Sequence, residues 1–393
     1  MGHLKNSLID GAFFLLDLLE KNGHKARIVG GAVRDFLLKK DFSDIDIATT
    51  ATPPEIIDIC SNNELIVIPL GELYGSMAVI HKHKVYEITT LRKDVKTFGR
   101  HAEVIFSKSF EEDSNRRDFT INAIYIDKKG KIYDYHSSIE DLHSKNVRFI
   151  GDPKKRIEED YLRIFRYFRF VAGYGNFNCK QEYINIINEL KTNVKKLSSE
   201  RVICEMLKIF EIQCSNKIIS QMRPILDVLF SLECNSIDIC EKWKILDTLS
   251  CEEKLSMLLK FSNKDDLISK YNFSKKIRNM ILLKVVDQSN LFAQLKKIRK
   301  EYRTFYAKFW VVHAYVHNMS SEIDILHFMQ KILKFCESEC ANFKLNVNDL
   351  TEYNLTQDEL KNVMVSTKKY WLDNDDASYE KCKKFAKNIV CKK

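Results

Sequence analysis

"RIVGGAVRDFLLKKDFSDIDIATT", residues 27–50, decides how this chain is read. An apolar strand ends in two glycines, a helical stretch carries an arginine and an aspartate, and the next strand signal opens with aspartates at i and i+2. Side chains alternate faces along a strand, so Asp44 and Asp46 are expected on one side while Ile45 and Ile47 enter the core. Two carboxylates side by side repel each other unless a cation holds them. Mg²⁺ suits the arrangement, because it takes a few carboxylate oxygens plus substrate phosphates, and two such ions activate an attacking hydroxyl and neutralise a leaving oxygen. Gly30 and Gly31 fall at the strand-to-helix junction, where backbone comes close to a ligand and N–H groups point outward. A phosphate fits there, with Arg34 adding a charge-assisted contact and Asp35 orienting the turn. Taken alone each signal is weak, since an Asp-x-Asp is usually a solvated strand end. Their conjunction is stronger.

Outward from this stretch, residues 1–150 interleave short β-branched runs ("ARIVGG", "GSMAVIH", "VYEITTL", "INAIYID") with helical segments such as "PPEIIDICS", whose prolines suit a helix start. From Pro153 the pattern turns to long amphipathic runs, "PKKRIEEDYLRIFRYFRFVAG" among them, and is expected to stay helical to the end. The 393 residues, 45% hydrophobic and 11% aromatic, allow more than one domain with a real core. The opening residues lack the apolar run of a signal peptide and no later stretch is long enough to span a bilayer, so a soluble, cytoplasmic protein without membrane contact is expected. Eleven cysteines, an odd number without a C-x-x-C pair, speak against a disulfide framework and for a reducing compartment. A formal charge of +9 makes a polyanion a fair partner without naming it.

In order along the chain, "GGAVRD", "DIDIAT", "EITTLRKD", "RRDFTINAIY" and "EEDYLRIFRYFRF" resemble the motifs of the bacterial-type (class II) tRNA nucleotidyltransferase and poly(A) polymerase family, within the polymerase-β-like superfamily. The likeness covers roughly the first half of the chain. It implies an α+β fold: a nucleotidyltransferase head with a mixed sheet over residues 1–150, an all-helical neck over 151–212 that recognises the base, and a helical body and tail over 213–393 that bind tRNA. It implies template-independent transfer of nucleotides from CTP and ATP to an RNA 3′ end with Mg²⁺. Asp44 and Asp46 become the metal ligands and Glu87, on "VYEITT", a candidate third carboxylate. Arg116, Arg117, Asp118 and Asn122 fall where the family grips ribose and phosphates, and Arg92 falls near the triphosphate.

The run "EEDYLRIFRYFRF" reads as one helix, so Asp160 and Arg163 at i, i+3 are expected on one face. An intrahelical ion pair is the bland reading. The chemistry offers another: cytosine and adenine each present an amino donor beside a ring-nitrogen acceptor, whereas guanine and uracil present a carbonyl and an N–H. A carboxylate only accepts and a guanidinium only donates, so the pair complements C and A. The family's E-D-x-x-R motif assigns the same role. Arg166 and Arg169 continue the stripe, supporting the pair or meeting phosphate.

Several features bear on which family member this is. The segment "RKDVKTFGRHAEVIF" keeps nearly the full length of the family's flexible loop, which favours addition of the whole CCA, although the usual proline after Gly99-Arg100 is missing. "LGELYGSMAV" resembles the tRNA enzymes rather than the poly(A) polymerases; a poly(A) polymerase and an inactive RNA-binding module on the same fold remain the alternatives. Ser137 and Ser138 stand where glycines are usual. His81 and His83 read as an exposed hairpin, and Cys336 and Cys340 as packing residues. In the tail, windows around Lys275, Lys276 and around Lys296, Lys297, Arg299 mix basic and aromatic residues that can track a phosphate backbone, or simply form solvated helix faces.

Overall fold

The strands and helices of the head follow from the opening motif. In this computed structural model, residues 2–98, 101–213, 215–232, 249–259, 262, 264–282, 345–353, 355–374 and 378–391 are described. They fall into two compact units, Met1–Ser231 and Leu232–Lys393. The first unit carries nine strands: β1 (Ala26–Val29), β2 (Asp46–Thr49), β3 (Ile66–Gly71), β4 (Ser76–His81), β5 (Lys84–Thr90), β6 (Arg92–Phe98), β7 (His101–Phe106), β8 (Ile124–Ile126) and β9 (Ile132–Asp134). Seven of these form a mixed sheet in the order β3-β4-β5-β2-β1-β8-β9, and β6 with β7 forms a separate antiparallel ribbon. Among these described strands only β2 and β5 are parallel neighbours, with Asp46 in register with Glu87.

One face of the sheet is closed by apolar packing. Ile28, Ile47, Met77, Val79 and Ile88 are buried. Against that face lie α1 (Gly2–Lys21) and α3 (Pro53–Ser61), and the Tyr86 hydroxyl donates to the Leu8 carbonyl of α1 at 3.1 Å. Helix α3 starts where the sequence indicates: Thr52 and Glu55 form a reciprocal capping box and two prolines open the first turn. The other face carries Asp46 and Glu87. Between β1 and β2 sits α2 (Gly31–Leu37), and α4 (Phe110–Asn115) and α5 (Ser138–His143) follow the ribbon and β9.

The substitutions noted in the sequence are absorbed locally. Ser137 takes the left-handed conformation, φ 55° and ψ 37°, that a glycine would adopt more cheaply. The carboxylate of Asp134 holds that turn, accepting from the backbone N–H groups of His136, Ser138 and Ile139 at 2.9–3.1 Å. Between β4 and β5, Lys82 and His83 both have positive φ and make a tight hairpin turn. His81 stacks on Phe14 with ring centroids 4.4 Å apart.

Beyond the sheet come α6 (Pro153–Glu159), α7 (Leu162–Tyr174), α8 (Gln181–Leu190), α9 (Ser199–Phe210) and α10 (Asn216–Phe230). The single helix expected from Pro153 is two helices. Asp160 is extended, with φ −154° and ψ 106°, and its carboxylate accepts from the Leu162 N–H at 3.1 Å, a local side-chain bond that competes with helix continuation. Phe119, Phe149, Tyr167, Phe168 and Phe165 fill the core where α7 meets the sheet. In the second unit the described elements are helical: α11 (Cys251–Leu259), α12 (Lys264–Lys270), α13 (Lys275–Leu282), α14 (Gln357–Asp373), α15 (Tyr379–Val390) and a short 3₁₀ turn, Val347–Tyr353. Lys296, Lys297, Arg299, Cys336 and Cys340 lie outside the described residues. Among the described residues no helix is long and apolar enough to cross a membrane.

Arg156 joins α6 to the head. It is nearly buried and its guanidinium donates to the carbonyls of Arg116 and Arg117 at 2.5 and 2.6 Å, and to Glu159. Arg156→Met removes the charged donors from these two carbonyls, so it is expected to destabilise the protein by roughly 2–4 kcal/mol, read from denaturant melts. A loss below about 0.5 kcal/mol shows that the seam does not depend on this side chain.

Candidate active site

Gly30 brings the backbone up to an arginine and a carboxylate of the site. Its φ of +80° is a conformation that other residues adopt only with strain, and a Cβ there would lie 3.6 Å from Arg117 Nη1 and 3.7 Å from Asp46 Oδ2. The backbone therefore turns between the arginine and the carboxylate. Strand β2 starts at Asp46, and Asp44 precedes it on an exposed segment, yet the alternation holds, with Ile45 and Ile47 buried. Asp44, Asp46, Gly30, Gly31, Arg34, Arg117, Asp118, Asn122 and Arg166 all line one cavity of about 750 Å³.

The carboxylates in this cavity are short of positive charge. Burial, and then the neighbouring Glu87 and Asp44, push the Asp46 carboxyl up to about 6, with Arg117 only partly opposing them. Among the described residues no three His, Cys, Asp or Glu side chains come together as a metal-holding group. Two carboxylates beside a phosphate-sized turn nevertheless fit a hard cation such as Mg²⁺, which is held by one or two carboxylates and completes its shell with substrate phosphates and water.

The basic residues are held by a second set of acids. Asp113, 1% exposed, accepts from Arg116 Nε at 2.8 Å, Arg117 Nη2 at 3.2 Å and the Tyr125 hydroxyl at 2.7 Å. Burial alone would raise its pKa, but Arg117 and Arg116 bring it down to about 2. Asp118 accepts from Asn122 Nδ2 at 3.1 Å and Arg166 Nε at 2.6 Å; burial opposes its charge, and Arg166 still holds it far below the usual carboxylate range. Arg34 is buried, donates to Asn122 Oδ1 at 2.7 Å and to both oxygens of Asp35, and stacks 4.0 Å from the Tyr174 ring centroid. Part of its capacity for a ligand is thus already engaged by the protein. Glu205, 4% exposed, pairs with Arg169 at 2.7 Å.

Other expected residues stand elsewhere. Glu87 lines a second cavity that shares Asp44 and Asp46 with the first. Arg92 donates to the Tyr74 carbonyl and pairs with Asp94, and like Arg116 it does not line the 750 Å³ cavity. Asp160 and Arg163 are not the facing pair that an unbroken helix would give. Arg201, on α9, grips Asp160 with two bonds of 2.7 and 3.3 Å, and Arg163 donates to Glu159 and to the Arg156 carbonyl, each at 2.5 Å. Lys275 and Lys276 open α13 in the second unit, where Lys276 pairs with Glu252.

Sequence reading missed Asp113, Tyr125, Tyr174, Arg201 and Glu205. The spacing of Asp113 to Arg116 and Arg117, i, i+3 and i, i+4, was a usable signal. Glu205, an acid on the apolar stripe of α9, was another.

Known proteins resemble this chain in sequence and fold. Residues 26–148 match the poly(A) polymerase head domain. The human mitochondrial CCA tRNA nucleotidyltransferase 1 is 42% identical over 206 residues, 51% of this chain and 47% of that protein, so the match spans about half the length of such relatives. The CCA-adding enzyme of Staphylococcus saprophyticus is 30% identical over 307 residues, 76% of this chain and 75% of that one. A crystal structure of the Bacillus stearothermophilus CCA-adding enzyme in complex with CTP superposes with a TM-score of 0.72 at 22% identity, covering 97% of each chain, a likeness of fold. With the five ordered motifs on one sheet and its adjoining helices, and a relative matched along three quarters of both lengths, the chain belongs to the tRNA nucleotidyltransferase and poly(A) polymerase family.

Proposed function

We propose that this protein adds CCA to the 3′ end of tRNA from CTP and ATP without a nucleic-acid template. The observation that carries the reading is the single cavity in which the Gly30–Gly31 turn, the Asp44/Asp46 carboxylates and the Arg117, Asp118, Asn122 group meet. The triphosphate lies along the Gly30–Gly31 backbone and Arg117, with Asp118 and Asn122 against the ribose. Asp44 and Asp46, with Glu87 alongside, would hold Mg²⁺, which would supply neutralisation of phosphate charge and activation of the hydroxyl. The O3′–Pα bond forms as the bridging bond to the β-phosphate breaks; pyrophosphate takes the electron pair and the hydroxyl proton goes to solvent.

Base choice is assigned to Asp160 and Arg163. In support, both lie at the α6–α7 break, and Arg163 stands one turn before Arg166, which lines the cavity. Arg201 and Glu159 hold the two side chains, and Asp160 Oδ2, which accepts from Arg201 Nη2, keeps a second lone pair for an amino group. Stepwise assay tests the whole reading: tRNAs ending at the discriminator base, at C and at CC are offered single nucleotides. Ordered C, C, A addition followed by arrest supports it. A long A tail on unrelated RNA makes the protein a poly(A) polymerase, and absence of pyrophosphate release on any RNA makes it a binding module.

Asp44→Ala and Asp46→Ala are expected to abolish transfer at any Mg²⁺ concentration while the protein stays folded. Near-normal turnover in Asp46→Ala removes the two-carboxylate metal site. Asp46→Asn gives a separate readout. The folded-state pKa of Asp46 lies above its ordinary 3.8, so its ionisation costs stability, and that cost grows as pH rises from about 4 to 6. Metal-free Asp46→Asn therefore melts higher than wild type at pH 7, and the gap closes at pH 4; equal melting temperatures at both values contradict the charge argument.

The last test separates base reading from helix stabilisation. Asp160→Ala loses the acceptor for the amino group of C and A, so the ratio of kcat/KM for CTP over UTP falls by about tenfold or more. If Asp160 merely anchors Arg201, the ratio stays unchanged in a variant that still turns over.

A further inference from the structure

One aromatic ring on the wall of the 750 Å³ cavity holds two cations. Tyr174 closes α7, and its ring centroid lies 4.0 Å from the guanidinium carbon of Arg34 and 4.5 Å from Lys40 Nζ. Its hydroxyl donates to Asp35 Oδ1 at 2.8 Å. All four residues line the cavity that also contains Asp44 and Asp46. We propose that Tyr174 is a positioning residue for the nucleotide, its ring and hydroxyl together fixing Arg34 so that the remaining N–H bonds of the guanidinium are presented to the triphosphate; this rests on the nucleotidyl-transfer reading above.

A guanidinium has five N–H bonds to give. In Arg34, Nε and Nη2 each spend one on Asp35, at 3.0 and 2.9 Å, and Nη1 spends one on Asn122 Oδ1 at 2.7 Å, which leaves one on each terminal nitrogen. Nη2 stands 3.5 Å from where a Cβ on Gly31 would lie, so its remaining donor borders the turn assigned to phosphate. Asp35 alone does not hold it there. A two-point carboxylate pair sets the plane of the guanidinium, but neighbouring residues on one helix leave the pair able to swing as a unit. The Tyr174 hydroxyl fixes the carboxylate end of that unit and the ring covers the guanidinium face, a cation–π contact in a partly desolvated setting.

The ring itself stands on a rigid base. The N–H groups of Gly175 and Phe177 both donate to the Val171 carbonyl, at 2.9 and 3.2 Å, and a Cβ on Gly175 would come within 3.0 Å of the Val171 backbone. The same helix end offers the Gly173 carbonyl to Lys40 Nζ at 3.2 Å, where a cation meets the negative end of the helix. Burial pushes the Tyr174 hydroxyl up to about 12, so it remains a donor across the neutral range. A ring that only filled space between α2 and α7 would need neither a hydroxyl nor a place on the cavity wall. Phe170, one turn earlier and 4% exposed, already packs beside Arg34, its ring centroid 5.4 Å from the guanidinium carbon.

The test asks whether Tyr174 acts through Arg34. With the full chain, Mg²⁺ and a tRNA ending in CC, Tyr174→Leu is expected to raise the ATP KM by about tenfold while kcat and the tRNA KM stay within about twofold of wild type. Tyr174→Phe keeps the ring over Arg34 and is expected to fall between the two. In an Arg34→Lys background the same Tyr174→Leu change is expected to cost less than about twofold more, because the group it orients is gone. Tyr174→Met replaces a Leu variant that melts early. A loss that adds in full to that of Arg34→Lys, a Phe variant as weak as Leu, an unchanged ATP KM, or a change confined to kcat or the tRNA KM each overturns the proposal. Should wild type turn over no RNA, the transferase reading fails on its own. Tyr174 is then judged from the Arg34 Nε–H resonance of isotope-labelled protein, identified by its disappearance in Arg34→Lys: a slowly exchanging signal lost in Tyr174→Leu supports the positioning, and one that persists, or is absent from wild type, refutes it.

Discussion

The ion pair between Asp118 and Arg166 is the constraint on which the site depends. Arg166 stands on α7 and Asp118 in the turn after α4, and the guanidinium reaches one carboxylate oxygen at 2.6 Å while the other accepts from the Phe119 N–H and the Asn122 amide. Burying such a pair is favourable only when the remaining lone pairs are also satisfied, and here they are. Through Asn122 the pair reaches Arg34, and through Arg34 it reaches Asp35 and Tyr174 at the far end of α7. The helix is thereby fixed to the sheet at both ends of one cavity. Arg156 adds a third point on α6.

The acids of the site divide into two kinds by what surrounds them. Asp113 and Asp118 are buried with arginines and sit well below the ordinary carboxylate range. Asp46 is half-buried beside other acids and sits above it. The first kind stabilises the fold and orients the guanidinium groups; the second stores unfavourable charge that only a bound cation relieves. A chain selected for stability alone would not place Asp46 in register with Glu87. The arrangement makes sense as a cost carried for chemistry.

What the sequence made legible was whatever obeys a short period. "DIDIAT" alternates with period two, so the exposure of Asp44 and the burial of Ile45 and Ile47 could be read directly, and the Gly30 turn followed from the strand end beside it. The break at Asp160 could not be read, because the helical period of "EEDYLRIFRYFRF" runs through it without a glycine or proline. It depends on a local bond from Asp160 to the Leu162 N–H and on Arg201, 41 residues later in the chain. Asp113 and Glu205 were missed for a related reason: a buried acid looks like any surface acid until its arginines are known to converge on it.

That break has a consequence for how a protein can serve as a template. In an unbroken helix Asp160 and Arg163 would face each other across one turn and spend their hydrogen bonds on one another. Extended backbone at Asp160 instead hands the carboxylate to Arg201, and Arg163 to Glu159, so each is oriented by a different partner. Orientation by a third residue leaves one edge of each group available, whereas mutual pairing would leave neither. On the proposed reading, each base-reading side chain is held by something other than its fellow reader, and the interruption between α6 and α7 is the local structure that separates the two.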